Sequence, residues 1–132
     1  MSLDVLLVDD SAVVRKVLLR ALRQAEFPVG SVHEAGDGVE ALAQLHAHHV
    51  DLILCDINMP NMDGLEFLRH LRAEPVLKSL PVVLVSRESS QAVVLEALRL
   101  GASGYVRIPF TPEQIKSKLL SVISTQENPA AN

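Results

Sequence analysis

Three aspartates stand directly after apolar segments of the chain, and together they could bind a divalent cation. Asp9 and Asp10 follow the run Val5–Val8, and Asp56 follows Leu52–Cys55. Clustered carboxylates repel one another, so a site built from them either holds protons or binds a cation. Ligands that are all oxygen favour Mg²⁺, which accompanies phosphate in many sites. The sequence therefore predicts a pocket where a divalent cation and a phosphoryl group meet.

These aspartates can meet only if the fold makes their strands neighbours. Apolar, strand-like runs alternate five times with helical patterns, which is typical of a parallel sheet covered by helices on both faces. The second run alternates between apolar and polar residues and indicates an edge strand. The five runs are Val5–Val8, Val29–Glu34, Leu52–Cys55, Val82–Val85 and Tyr105–Ile108.

Five such βα units usually form an α/β, flavodoxin-like, doubly wound sheet of five parallel strands in the order 2-1-3-4-5, with five helices. The first and third strands are then neighbours, and ligands bind at their carboxyl ends. Ser86 ends the fourth strand on the same rim, where its hydroxyl could donate to a phosphoryl oxygen. A helix cap or a turn explains any one of the aspartates equally well, whereas three at strand ends favour a site.

The helices and their boundaries are readable from period and caps. Asp37 is followed three residues later by Glu40, and the segment Thr111–Gln114 places a cap, a proline and a glutamine in the order of a helix start. The segment Ile57–Asp63 predicts an irregular loop after the third strand. On the first helix the period predicts one buried stripe, made of Val14, Val17, Leu18, Ala21, Leu22 and Ala25.

Composition restricts the class of protein. With 132 residues, 48% of them hydrophobic, the chain predicts one domain over residues 1–125 and a flexible tail over 126–132. A single cysteine excludes an internal disulfide, and no leader-like or membrane-length apolar stretch occurs. We therefore expect a cytoplasmic protein without a membrane partner. The net charge of -4 argues against a nucleic-acid partner, which needs clustered Lys and Arg.

Two motifs carry a resemblance to a known family. The run Val8-Asp9-Asp10-Ser11 and the nine residues from Asp56 to Gly64 resemble those of a response-regulator receiver domain, of the single-domain, CheY-like chemotaxis type. The resemblance spans about residues 3–123. It implies that Asp56 is the phosphoacceptor for a histidine kinase or phosphotransfer protein. It also implies that Asp9, Asp10, Asp56 and the backbone carbonyl of Asn58 hold Mg²⁺.

The same resemblance implies a switch and a partner surface. Ser86 would be the hydroxyl that moves toward the aspartyl phosphate, and Tyr105 the aromatic whose rotamer follows it. Asn58 and Glu88 occupy the two positions that tune how fast the phosphate is lost. Residues 90–125 would form the surface for a downstream protein. A localised charge change read by a bistable loop is physically reasonable.

One residue departs from the family pattern. Before Pro109 the family has a lysine that pairs with phosphoryl oxygens, and this chain has Ile108. Such a charge-assisted hydrogen bond is typically worth about 1.5 to 3 kcal/mol, so we expect weaker phosphoryl transfer and weaker coupling to conformation. Arg107 is adjacent, but successive strand residues point to opposite faces.

Arg87 follows Ser86, where the family usually has a small residue. Its planar guanidinium could reach over the pocket mouth to a phosphate. The alternative is that Arg87 points to solvent and only restricts access to the pocket.

Other functions remain open at this point. A receiver without phosphate control could act as a phosphorylation-independent interaction module, although the retained aspartates favour phosphorylation. An Mg²⁺-dependent phosphatase of the haloacid-dehalogenase type also uses aspartate on a parallel sheet, but its nucleophile lies in a D-x-D motif, whereas Asp9 and Asp10 are contiguous. Flavin binding on the same fold is disfavoured because no Ser/Thr/Gly-rich phosphate loop follows the first strand. We expect a phosphoacceptor signalling domain whose only catalysis is its own phosphoryl transfer.

Overall fold

The computed structural model describes residues 2–127, and the side chains of residues 2–124. Strands and helices alternate along this part of the chain. The strands are β1 (Leu3–Val8), β2 (Val29–Ala35), β3 (Leu52–Cys55), β4 (Val82–Ser86) and β5 (Gly104–Arg107). The helices are α1 (Ala12–Gln24), α2 (Gly38–Ala47), α3 (Gly64–Ala73), α4 (Gln91–Arg99) and α5 (Pro112–Glu127).

The strands form one parallel sheet in the order β2-β1-β3-β4-β5. This confirms the predicted order, and β2 lies at an edge as its alternating pattern indicated. Strands β1 and β3 pair in register from Val5 opposite Leu52 to Val8 opposite Cys55. The residues that follow these two strands therefore leave the sheet side by side.

Each face of the sheet is covered by a separate apolar layer. One layer contains Leu6, Ile53 and Phe67 with the buried faces of α2, α3 and α4. The other contains Leu7 and Leu22 and packs α1 and α5 on the opposite face. All four residues of β3 are fully buried, which explains why that strand is apolar throughout.

Helix α1 buries a narrower stripe than its period predicts. Leu18, Ala21, Leu22 and Ala25 are buried, but Val17 is 53% exposed. The prediction for Val17 is wrong because this residue lies at the margin of the stripe, beyond the contact between a round helix and a flat sheet.

The caps form as the sequence predicts. The Asp37 carboxylate accepts the Glu40 N–H at 2.9 Å, and Thr111 and Gln114 exchange two hydrogen bonds of 2.8 and 3.1 Å. The loop Ile57–Asp63 ends where Asp63 caps α3 by accepting the Glu66 N–H.

The carboxyl end of the described chain differs slightly from expectation. Helix α5 continues through Glu127, two residues into the segment predicted as a tail, and residues 128–132 lie outside the described residues. No helix within residues 2–127 is both long and apolar enough to cross a membrane.

Candidate functional site

The three predicted aspartates meet at the carboxyl ends of β1 and β3. Ligand oxygens of Asp9, Asp10 and Asp56 all lie within 4.8 Å of one another. The Asp56 N–H donates to the Val8 carbonyl at 2.9 Å, which continues the pairing of the two strands into the site. Residues 47 positions apart are therefore joined by the strand order alone.

Short backbone bonds orient two of the carboxylates. The Ser11 N–H donates to Asp9 Oδ1 at 2.8 Å, and the Ile57 N–H donates to Asp56 Oδ1 at 2.7 Å. Ser11 is also the residue that caps α1, accepting the Val14 N–H at 3.2 Å. The cap at the start of α1 is thus Ser11, which leaves the exposed Asp10 at the cluster.

Asp9 is the residue of the cluster whose ionised form is least favourable. Its side chain is buried, at 4% exposure. Burial is the largest cause that raises the pKa of Asp9 to about 6; the Ser11 N–H opposes it as the next largest effect, and the negative charges of Asp56 and Asp10 add smaller increases. The cluster therefore has an excess of negative charge that a bound cation would offset.

A cavity of about 300 Å³ opens over the aspartates. It contains every residue that the sequence placed at the site except Glu88 and Tyr105. Its lining comprises Asp9, Asp10, Asp56, Asn58, Ser86, Arg87 and Ile108, together with Ser11 and Val14 from the start of α1. The donor atoms at its base are carboxylate oxygens, and such an acidic cluster is typical of an Mg²⁺ site.

Ser86 and Tyr105 are connected through the segment after β4. Ser86 is 1% exposed, and its Oγ accepts the Glu88 N–H at 3.2 Å. The Tyr105 hydroxyl donates to the carbonyl of Ser86 at 3.2 Å and to that of Glu88. Partial burial is the main reason that the pKa of Tyr105 is raised. The ring is therefore bound to the two residues that flank Arg87.

Asn58, which lines the cavity, contacts Glu88, which does not. Asn58 Nδ2 donates to Glu88 Oε1 at 3.3 Å, and the Ser90 N–H donates to Glu88 Oε2 at 3.1 Å. The hydrogen bond from Ser90, then that from Asn58, lowers the pKa of Glu88. The contact links the loop after β3 to the loop after β4.

Ile108, where the resemblance led us to expect a lysine, forms part of the cavity wall. Strand β5 ends at Arg107, and the Ile108 N–H donates to the Ser86 carbonyl at 2.9 Å. The Ile108 side chain lines the cavity and also packs on the apolar layer of α1 and α5. Arg107 lies instead in a separate groove beside Tyr105, so it does not replace the missing lysine.

Two supporting interactions were not found from sequence. Arg15 donates to Glu34 at 2.7 Å and to the backbone carbonyl of Asp9, which ties α1 and β2 to the site. Asn61 donates to the buried Asp37 at 2.8 Å and holds the loop after β3 against α2. Arg15 lies one helical turn after Ser11, which is only a weak indication that its side chain reaches the site. Nothing in the sequence indicates that Asn61 contacts Asp37.

Comparison with known proteins identifies the family. Residues 5–120 match the model of the response regulator receiver domain. The chain is 39% identical over 115 residues to the chemotaxis protein CheY of Pseudomonas aeruginosa, covering 87% of this chain and 91% of that protein.

Solved structures agree with this match. The chemotaxis response regulator CheY4 of Vibrio cholerae superimposes with a TM-score of 0.81 at 34% identity, over 92% of this chain and 99% of that one. The phosphorylated cyanobacterial phytochrome response regulator RcpA does so with a TM-score of 0.78 at 26% identity, over 98% and 96%. These are signalling domains rather than classical enzymes, which favours a receiver over a phosphatase. The chain belongs to the response regulator receiver domain family, as a CheY-like member.

Proposed function

We propose that this chain is a receiver that accepts a phosphoryl group on Asp56 from a histidine kinase or phosphotransfer protein. Residues 1–125 form the receiver, Asp9, Asp10, Asp56 and the Asn58 carbonyl hold Mg²⁺, and the output is a protein contact. The observation that carries the proposal is the convergence of three carboxylates under a cavity that also contains Ser86. Because the relatives are chemotaxis proteins, chemotaxis is the first pathway to test, and we place the protein in the cytoplasm.

The chain's own residues account for the transfer. The Ile57 N–H occupies Asp56 Oδ1, so we assign Oδ2 as the oxygen that attacks phosphorus. A phosphorus–oxygen bond forms as the phosphorus–nitrogen bond to the donor histidine breaks, and the electron pair stays on the imidazole. Bound Mg²⁺ supplies positive charge to the transferring oxygens. Buried Ser86 offers its hydroxyl to one of those oxygens.

The output follows from the segment that carries Ser86. Phosphorylation replaces the one negative charge of the Asp56 carboxylate with the nearly two negative charges of a phosphoryl group. When the Ser86 hydroxyl turns toward them, its bond with the Glu88 N–H must change, and both acceptors of the Tyr105 hydroxyl belong to that segment. Tyr105 also lines a groove of about 400 Å³ together with Val94 and Leu95 of α4. This groove belongs to the proposed partner surface of residues 90–125.

Intact-mass measurement after incubation with acetyl phosphate and Mg²⁺ tests the proposal. We expect the native chain to gain one phosphoryl group slowly, and Asp56→Asn to gain none. Ile108→Lys should accelerate the gain by about tenfold to a hundredfold, because it adds a charge-assisted hydrogen bond of roughly 1.5 to 3 kcal/mol. Asp51→Asn, at the other end of the sheet, is the matched control and should behave as the native chain does.

The alternatives predict different results. If neither the native chain nor Ile108→Lys gains a phosphoryl group, the chain is a phosphorylation-independent interaction module. Continuous turnover of an aryl phosphate, with accumulating product, would instead support the phosphatase.

A further inference from the structure

With Ile108 in place of a lysine, position 108 supplies no positive charge to the cavity. Arg87 is placed to supply one. Arg87 directly follows Ser86 at the end of β4, lines the cavity and is exposed at its rim. It is the only cation among the cavity's lining residues in the described part of the chain. Its position also follows directly on the hydroxyl that we assign to the phosphoryl group.

Unlike Arg15 and Arg72, Arg87 has no hydrogen-bond or ion-pair partner among the described side chains. Arg15 donates to Glu34, and Arg72 donates to the carbonyls of Lys78, Leu80 and Gly101. Within residues 2–127 Arg87 forms no hydrogen bond and no ion pair closer than 4.0 Å, although it shares a cavity with three carboxylates. Its guanidinium is therefore free to bind an anion that enters the cavity.

The geometry around Ser86 brings Arg87 close to the wall that Ile108 forms. The Ser86 carbonyl accepts the Ile108 N–H at 2.9 Å, so positions 87 and 108 flank the same end of β4. Arg87 has a long side chain with a planar fork, which can give two parallel hydrogen bonds to phosphoryl oxygens. The guanidinium at position 87 can thus bind a phosphoryl group, which the apolar side chain at position 108 cannot.

We infer that Arg87 is the residue that binds the phosphoryl group on Asp56, in place of the family lysine. This inference rests on the proposed function. It also changes where the charge acts, because Arg87 lies between the two residues whose carbonyls accept the Tyr105 hydroxyl. The phosphoryl group then pulls directly on the segment that holds Tyr105.

The test compares rates of phosphorylation by acetyl phosphate with Mg²⁺, followed by intact mass. We expect Arg87→Ala to be about tenfold slower than the native chain, and Arg87→Lys to keep part of the rate. The double variant Arg87→Ala with Ile108→Lys should recover at least the native rate, because a lysine at position 108 supplies the lost charge. Arg20→Ala removes an exposed arginine of α1 outside the cavity and should change nothing.

A second readout separates phosphoryl binding from general damage to the site. Mg²⁺ affinity of Arg87→Ala, measured by calorimetry, should equal the native value or be a few-fold tighter, since a positive charge leaves an acidic cavity. If Arg87→Ala is phosphorylated as fast as the native chain, or faster, Arg87 is a gate and the inference is wrong while the proposed function stands. If the native chain is not phosphorylated at all, both fall together.

Discussion

Within the described residues, two clusters of acidic or metal-ligating side chains lie at opposite ends of the paired strands β1 and β3. The cluster at the carboxyl end is Asp9, Asp10 and Asp56, and the cluster at the amino end is Asp4, Asp51 and His49. Both bring their ligand atoms within 4.8 Å of one another. Their surroundings nevertheless differ in how the negative charge is met.

At the amino end, protein donors already satisfy the carboxylates. Asp51 accepts the Asp4 N–H at 2.8 Å and lies 2.9 Å from His49 Nε2, while Asp4 accepts the Ser31 N–H at 2.7 Å. These contacts join β1, β2 and the start of β3. The cluster therefore works as a structural tie between strands and has no need of a cation.

At the carboxyl end the carboxylates surround a cavity, and burial raises the pKa of Asp9. The comparison shows that proximity of acidic groups does not make a site. The site is the cluster in which burial beside a cavity makes the negative charge costly.

The largest expected effect concerns the cation. Asp9→Asn or Asp10→Asn should weaken Mg²⁺ binding by at least ~10-fold, because even an outer-shell partner of a metal ligand is worth that much. Asp51→Asn should leave the affinity unchanged. Calorimetric titration with Mg²⁺ decides this, and an equal loss in Asp51→Asn would place the cation at the amino end.

A smaller effect concerns stability in the absence of metal. Because folding raises the pKa of Asp9 from 3.8 to about 6, the native state holds this proton more tightly than the unfolded state does. The protonated carboxyl of Asp9 therefore makes its full contribution to the free energy of unfolding below about pH 4, and this contribution is lost as the pH rises through about 6.

The consequence is that Asp9→Asn should stabilise the metal-free protein at pH 8, by roughly 1 to 3 kcal/mol at about 1.4 kcal/mol per pKa unit. The gain should disappear near pH 4. Urea unfolding in a chelator measures both values, with the native chain as control. A gain that is independent of pH would mean that packing, not charge, causes it.

The smallest expected effect is at the amino end. Asp51→Ala removes the acceptor of the Asp4 N–H and should lower the free energy of unfolding by about 1 to 2 kcal/mol. It should leave Mg²⁺ affinity and phosphorylation unchanged. Asp51→Asn keeps one side-chain oxygen and should cost less. Loss of phosphorylation in the folded Asp51→Ala variant would show that the two ends of the sheet are coupled.

Much of the fold was predictable because its signals are local. The runs of apolar residues mark strands that are buried on both faces, and their ends agree with the structure to within about two residues. The caps at Asp37 and Thr111 were predictable for the same reason, since each forms within one helical turn. Val17 was mispredicted because it lies at the margin of the stripe, where burial depends on how α1 packs against the sheet.

Contacts between segments were not predictable in the same way. The bonds from Asn58 to Glu88, from Arg15 to Glu34, and from Tyr105 to the segment after β4 all join elements distant in sequence. Side-chain direction at such places depends on the packing of both partners, and the sequence carries no separate signal for it.

By itself the sequence determined the strand order and the identity of the three aspartates, because these follow from residue type and the rules of parallel sheets. The departure at Ile108 was visible only through the resemblance to the receiver family. Tertiary structure decided that Asp9 is buried with unmet charge and that Arg87 reaches the cavity without a partner. Burial and pairing are properties of the surroundings of a residue, and those surroundings exist only once the chain has folded.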